Sequence, residues 1–183
     1  MLDIYSAVDK VADITEYCKT NDIWTILEIL GILCIKRDLG SPRNGLKGFC
    51  IYHDEHFCIV INQNLPVYLQ ILVAWHELGH IILDPELLMD GNCLFDYDFS
   101  GAVNASERRA NLFAAEGMID DTELIDMLCS GCSLHTAASE LRVPEEFVKY
   151  KVRILREFDT PLNYVDMPDS SCLGDDMIGM ENF

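Results

Sequence analysis

Two histidines four residues apart, the first followed directly by a glutamate, stand in the run His76-Glu77-Leu78-Gly79-His80. Residues four apart on an α-helix differ by about 40° in direction and lie one turn apart. On a helix, His76 and His80 therefore point the same way and can offer two imidazole nitrogens to one tetrahedral Zn2+. Glu77 sits beside them, placed to reach a metal-bound water rather than the metal. Zinc lowers the pKa of such a water to roughly 7, so a carboxylate of ordinary basicity completes its deprotonation. The chemistry is hydrolysis at a polarised carbonyl, with Glu77 as general base and then as acid to the leaving amine.

The motif alone is a weak signal, and two core histidines hydrogen-bonded to backbone are the plain alternative. Its surroundings favour chemistry. Leu69, Ile71, Leu72, Val73, Trp75, Leu78, Ile81 and Ile82 make the segment apolar almost all round. An unpartnered imidazole buried there costs on the order of 1–3 kcal/mol. Gly79 costs roughly 1 kcal/mol of helix propensity, a loss that makes sense if something approaches closely at that position.

Two histidines and a water leave one ligand to find. His53, His56 and His135 are the other histidines, but Glu107 is the better candidate. It opens Glu107-Arg108-Arg109-Ala110-Asn111-Leu112-Phe113-Ala114, where Ala110 and Ala114 share its face and allow tight packing on the histidine helix. Asn111 is placed to hydrogen-bond the free nitrogen of a ligand histidine. A solvated glutamate in a charged surface turn is the competing reading.

The elements that must position these residues follow from periodicity. Apolar spacing predicts an amphipathic helix over Asp3 to Lys19 and a second from about Asp22, its N-cap, to Ile32. The runs 49–53 and 56–61 read as strands joined at Asp54-Glu55 in a hairpin. Pro66 suits the first turn of the long histidine helix, which ends before Pro85. An irregular connection covers 84–105, and Ser106 is read as the cap of the Glu107 helix, which runs to about Met118. Three short helices are expected at 121–129, 135–141 and 144–158. The fold class expected is α+β: a small antiparallel sheet packed on the zinc helix, with a helical, helix-turn-helix-like C-terminal part. The division expected is a metallopeptidase core at 1–119, the helical segment at 120–158 and an acidic, disordered tail at 159–183.

Taken together, the Ile59-Val60-Ile61-Asn62 strand, the histidine helix and the Glu107-Arg-Arg-Ala-Asn-Leu-Phe-Ala114 run resemble the ImmA/IrrE metallo-endopeptidases of bacteria and their mobile elements. The resemblance spans roughly residues 20 to 157 and departs from the family pattern at none of the matching positions. It implies that His76, His80 and Glu107 bind one zinc ion and that Glu77 is the general base. It also implies a cytoplasmic endopeptidase whose protein substrate is a helix-turn-helix repressor, cleaved to derepress a phage, mobile element or stress operon. The alternative is a non-proteolytic regulator that binds and sequesters the repressor.

Composition bounds these readings. The balance of 13 Lys+Arg against 31 Asp+Glu gives a net charge of −18, which disfavours nucleic acid and anionic lipid and suits a basic protein partner. The apolar run from Ile23 to Ile35 is too short to span a bilayer, so no membrane association is expected. Eight cysteines without scaffold-like spacing, and no export signal at the N-terminus, point to reduced thiols in a cytoplasm. The Cys129-Ser-Gly-Cys132 pair has no fitting partner pair and reads as chance. Five basic residues between 133 and 156 make that segment the least acidic, and a cap or protein-docking role is favoured there over DNA binding. An extended peptide could add beside Ile59-Val60-Ile61 as an extra strand. Tyr52, His53 and Tyr97 are weak candidates for stabilising an oxyanion.

Overall fold

From Leu72 to Ile81 no residue of one helix reaches solvent, so the rest of the chain must wrap it on every side. In the computed structural model, which describes residues 2–43, 45–89, 94–96 and 104–158, the elements in chain order are α1 (Leu2–Cys18), α2 (Ile23–Ile29), β1 (Leu33–Arg37), β2 (Gly48–His53), β3 (His56–Asn62), α3 (Val67–Leu83), α4 (Pro85–Met89), β4 (Leu94–Asp96), α5 (Ala105–Met118), α6 (Asp121–Cys129), α7 (Leu134–Leu141) and α8 (Glu145–Glu157). The buried helix is α3. Its Val73 and Glu77 face β2 at Gly48, and its Trp75 and Gly79 face α5. The architecture is α+β, as expected.

The sheet has the order β1-β3-β2-β4. The β2–β3 hairpin turns at Asp54 and Glu55, which both take positive φ (48° and 65°), as a two-residue turn that follows strand twist requires. β4 joins β2 antiparallel, Gly48 opposite Asp96. β1, however, runs parallel to β3, with Leu33 opposite Cys58 and Arg37 opposite Asn62, so the sheet is mixed rather than antiparallel. The sequence hides β1 because Leu33-Cys34-Ile35 continues the apolar run of α2. What divides them is Gly31, at φ 69°, where the Gly31 N–H donates to Glu28 and the Ile32 N–H to Leu27, a left-handed helix stop.

Buried polar side chains tie the loops that set α3 in place. Asn62, at the end of β3, donates to the carbonyls of Gly40 (3.1 Å) and Leu46 (2.9 Å) and accepts from the N–H of Asn64 (3.0 Å). This holds Gly40 and Leu46 on the approach to β2. Gln70 Nε2 donates to the Leu65 carbonyl at 2.7 Å, fastening the first turns of α3 to the chain leaving β3.

The helix carrying Glu107 starts earlier than its sequence suggests. Asn104, not Ser106, is the N-cap of α5, its side chain accepting from the Glu107 N–H at 2.9 Å. At the C-terminal end, α7 stops at Arg142 in the left-handed conformation, and after Val143 and Pro144 the chain enters α8. α8 buries Phe147, Val148, Tyr150, Val152, Ile154 and Leu155 in the same apolar cluster that contains Ile4, Trp75 and Phe113. The tail from residue 159, Tyr97 and most of the connection between α4 and α5 lie outside the described residues. No described helix is long and apolar enough to cross a membrane.

Lys151 of α8 is almost fully buried, with Nζ 2.6 Å from Glu116 of α5 and 2.5 Å from Asp121 of α6. Removing one partner of a buried ion pair leaves the other desolvated and unpaired. Glu116→Ala leaves the buried Lys151 ammonium with only the half-exposed Asp121 as partner and is therefore expected to destabilise the protein by about 3 kcal/mol in urea unfolding. A change below about 0.5 kcal/mol would show that this pair does not secure α8.

Candidate metal centre

Three donor groups from two helices meet at one point. His76 and His80 of α3 are 1% and 2% exposed, and Glu107 stands in the first turn of α5. His76 Nε2 lies 3.1 Å from His80 Nε2. The carboxylate of Glu107 bridges the pair, Oε2 at 3.4 Å from His76 Nε2 and Oε1 at 3.4 Å from His80 Nε2. Ligands about 2.0–2.1 Å from a tetrahedral zinc stand roughly 3.3 Å from each other, which is the spacing found here. Among the described residues these three form the one group of His, Cys, Asp or Glu side chains able to share a metal ion. His53, His56 and His135 stand outside that group, all at exposed positions.

Close packing of α3 on α5 makes the meeting possible. A Cβ added at Gly79 would lie 3.0 Å from Ala110 Cα, 3.2 Å from Phe113 Cβ and 3.3 Å from the Ala110 carbonyl. Gly79 thus accounts for its helix cost by admitting the backbone of α5, and Ala110 supplies the matching small residue one turn beyond Glu107. Further along the same seam, Gly117 faces the Trp75 ring, where an added Cβ would come within 2.4 Å.

Charge states follow from the surroundings. Burial lowers the pKa of His80 below its ordinary value, against the raising influence of Glu107, so the ring is neutral at pH 7 with a lone pair to offer. For Glu107, burial pushes the carboxyl upward, but its contacts with the His76 and His80 rings outweigh burial and hold it below the ordinary carboxylate range. A neutral imidazole and a carboxylate are the forms that bind a cation.

Other ring atoms have their own partners. His80 Nδ1 meets Ser106 Oγ at 3.2 Å, so its partner is Ser106 rather than Asn111. Ser106 in turn donates to Asp84 Oδ2 at 2.7 Å, and Asp84 pairs with Arg109. The sequence reading missed both residues, because Ser106 looks like a helix cap and Asp84 like the start of a loop. The usable signal was position: Asp84 stands four residues after His80, and Ser106 directly precedes Glu107.

Glu77 is 1% exposed and faces β2, where a Cβ added at Gly48 would lie 3.4 Å from its Oε1. Cys50, two residues along β2, has its thiol pushed up by burial and then by Glu77, so it stays protonated beside that carboxylate. Of the weak oxyanion candidates, Tyr52 packs its ring on Phe57 and the His53 side chain is 78% exposed beside Asp54. The strand Ile59-Val60-Ile61 is interior, paired with β1 on one side and β2 on the other, so it has no free edge for a peptide. The sheet's described edges are β1 and β4. Cys129 and Cys132 are free thiols.

Gly79→Ala adds roughly 1 kcal/mol of helix propensity but must move α5 by a few tenths of an ångström. Affinity for an added divalent metal, measured by calorimetric titration, is expected to fall at least about tenfold, because donor placement tolerates little displacement. Unchanged affinity would show that the seam at Gly79 does not set the donor spacing.

Known proteins place this geometry in a family. A family model described as the IrrE N-terminal-like domain matches residues 27–153. Over 167 residues the chain is 31% identical to metallopeptidase ImmA of Bacillus subtilis (strain 168), an alignment covering 86% of this chain and 92% of that protein. With a His-His-Glu cluster on its two central helices and a match over most of its length, the chain belongs to the IrrE N-terminal-like family and is a metallopeptidase of the ImmA/IrrE type.

Proposed function

We propose that this metallopeptidase is a zinc-dependent endopeptidase acting in the cytoplasm on a protein substrate, a helix-turn-helix transcriptional repressor. In this reading His76, His80 and Glu107 hold one Zn2+ and Glu77 is the general base. The observation that carries it is the convergence of the three donor atoms within 4.8 Å of one another on two helices locked together at Gly79. Two imidazoles and one carboxylate suit zinc, whereas magnesium and calcium select oxygen-only sites with more ligands.

The bound metal would supply Lewis-acid polarisation of the scissile carbonyl and acidification of a water. The protein's own part falls to Glu77. Its carboxylate takes the proton of the attacking water and passes it to the leaving amine. Its burial between α3 and β2 keeps that proton from bulk solvent and makes its electrostatic contribution larger than it would be in water.

Charge supports a basic partner. The molecule carries −18, and repressors that bind DNA present cationic surfaces. In the C-terminal segment, Lys149 pairs with Glu145 and Glu146, and Lys151 with Glu116 and Asp121. Two of that segment's cations are thereby committed internally, which favours docking of a protein over binding of DNA.

The test is co-expression with helix-turn-helix repressors from the same genome, following repressor length by mass spectrometry. Glu77→Gln is expected to retain zinc at unchanged stoichiometry while slowing cleavage by about 10²–10⁴-fold. An intact repressor bound equally by both forms would replace proteolysis with sequestration.

A further inference from the structure

We propose that Ser106 and Asp84 are positioning residues for His80, fixing its ring in the one tautomer whose Nε2 carries a lone pair toward the metal. The proposal rests on the reading of His76, His80 and Glu107 as a metal centre. It goes beyond that reading by assigning how one ligand is prepared before any ion arrives.

The direction of every hydrogen bond in the chain follows from counting protons. Asp84 is buried, and its carboxylate accepts from Arg109, whose Nε lies 3.3 Å from Oδ2 and whose Nη2 donates to Oδ1. A carboxylate held this way has no proton to give. The 2.7 Å contact between Ser106 Oγ and Asp84 Oδ2 therefore uses the serine's single hydroxyl proton. Ser106 Oγ is left only as an acceptor, so the proton in its 3.2 Å contact with His80 must sit on Nδ1. In a neutral imidazole that leaves Nε2 bare, and Nε2 is the atom that faces His76 and Glu107.

The relay is built from three elements. Asp84 closes the C-terminal end of α3, Ser106 and Arg109 belong to α5, and Arg109 Nη1 continues to Asp3 of α1 at 3.8 Å. Arg108 Nη2 meets the other oxygen of Asp3 at 2.8 Å, anchoring the far end. Ser106 is available for this because Asn104 already caps α5. Its hydroxyl, in a residue 7% exposed, has the inward direction to itself.

Removing the hydroxyl and reversing the relay are distinct perturbations. Ser106→Ala takes away the acceptor that holds the proton on Nδ1. Asp84→Asn introduces an amide that can donate to Ser106, which frees the hydroxyl proton to point at Nδ1 and moves the ring proton to Nε2. Two readouts decide: zinc affinity by chelator competition, and the His80 tautomer by long-range ¹H–¹⁵N correlation in the metal-free protein. Wild type is expected to show Nδ1–H, Ser106→Ala a tautomer mixture, and Asp84→Asn a shift toward Nε2–H. Both variants are expected to bind zinc about 10–100-fold more weakly, with Ser106→Thr restoring much of the loss. Because Asp84→Asn also weakens the link to Arg109, Ser106→Ala is the deciding variant where the former does not fold. A Ser106→Ala protein with wild-type zinc affinity and an unaltered His80 tautomer would overturn the proposal. So would a wild-type ring protonated at Nε2. Failure of the wild type to bind zinc at all would instead remove the metal centre itself, and the tautomer measurement separates that result from failure of the relay.

Discussion

Everything at the centre of this molecule depends on how closely α3 and α5 approach. Gly79 and Ala110 let the two backbones come within the distance that a single methyl group would fill. The approach sets Glu107 against His76 and His80, and it also aligns Ser106 and Arg109 with the end of α3. Packing and chemistry therefore share one seam. The glycine that weakens α3 as an isolated helix is what allows that helix to bring its two histidines against Glu107.

Around the seam, the protein isolates charge in an apolar interior. His76, Glu77 and His80 are buried on a helix whose other residues are mostly hydrophobic, and neither imidazole could lie there at low energy without a partner. The sheet supplies one wall at Gly48 and Cys50, and α5 supplies the other. Ion pairs at Arg109, Asp84 and Asp3 tie the N-terminal helix into the same network, while Lys151 joins α8 to α5 and α6. Each of these cations is matched by carboxylates of other elements of the fold.

Much of this was legible in the amino-acid order. Helical periodicity located α1, α2, α3 and the three short C-terminal helices to within a residue or two at most ends. The hairpin was readable because two strand-like runs flank a pair of residues in which a tight turn is feasible. The mixed character of the sheet was not readable. β1 is five residues long, follows α2 after a short turn and shares its apolar composition, so local pattern cannot tell the two apart. Its parallel pairing is a long-range choice, made when β3 inserts between β1 and β2.

The residues of the candidate site divide along the same line. His76, Glu77 and His80 were identifiable from sequence because helix geometry alone puts four-apart side chains on one face. Glu107 was identifiable as a candidate from its neighbours, but only tertiary packing brings its carboxylate to the two rings. Ser106 and Asp84 carried only the signal of position, beside Glu107 and four residues after His80, and each also has an ordinary local role available as a cap or helix end. Their alignment with His80 is a contact across 22 to 26 positions of chain, made by two helix termini meeting in space. Spacing within one element is written in the sequence by covalent geometry, whereas partners on different elements are decided only when side chains pack.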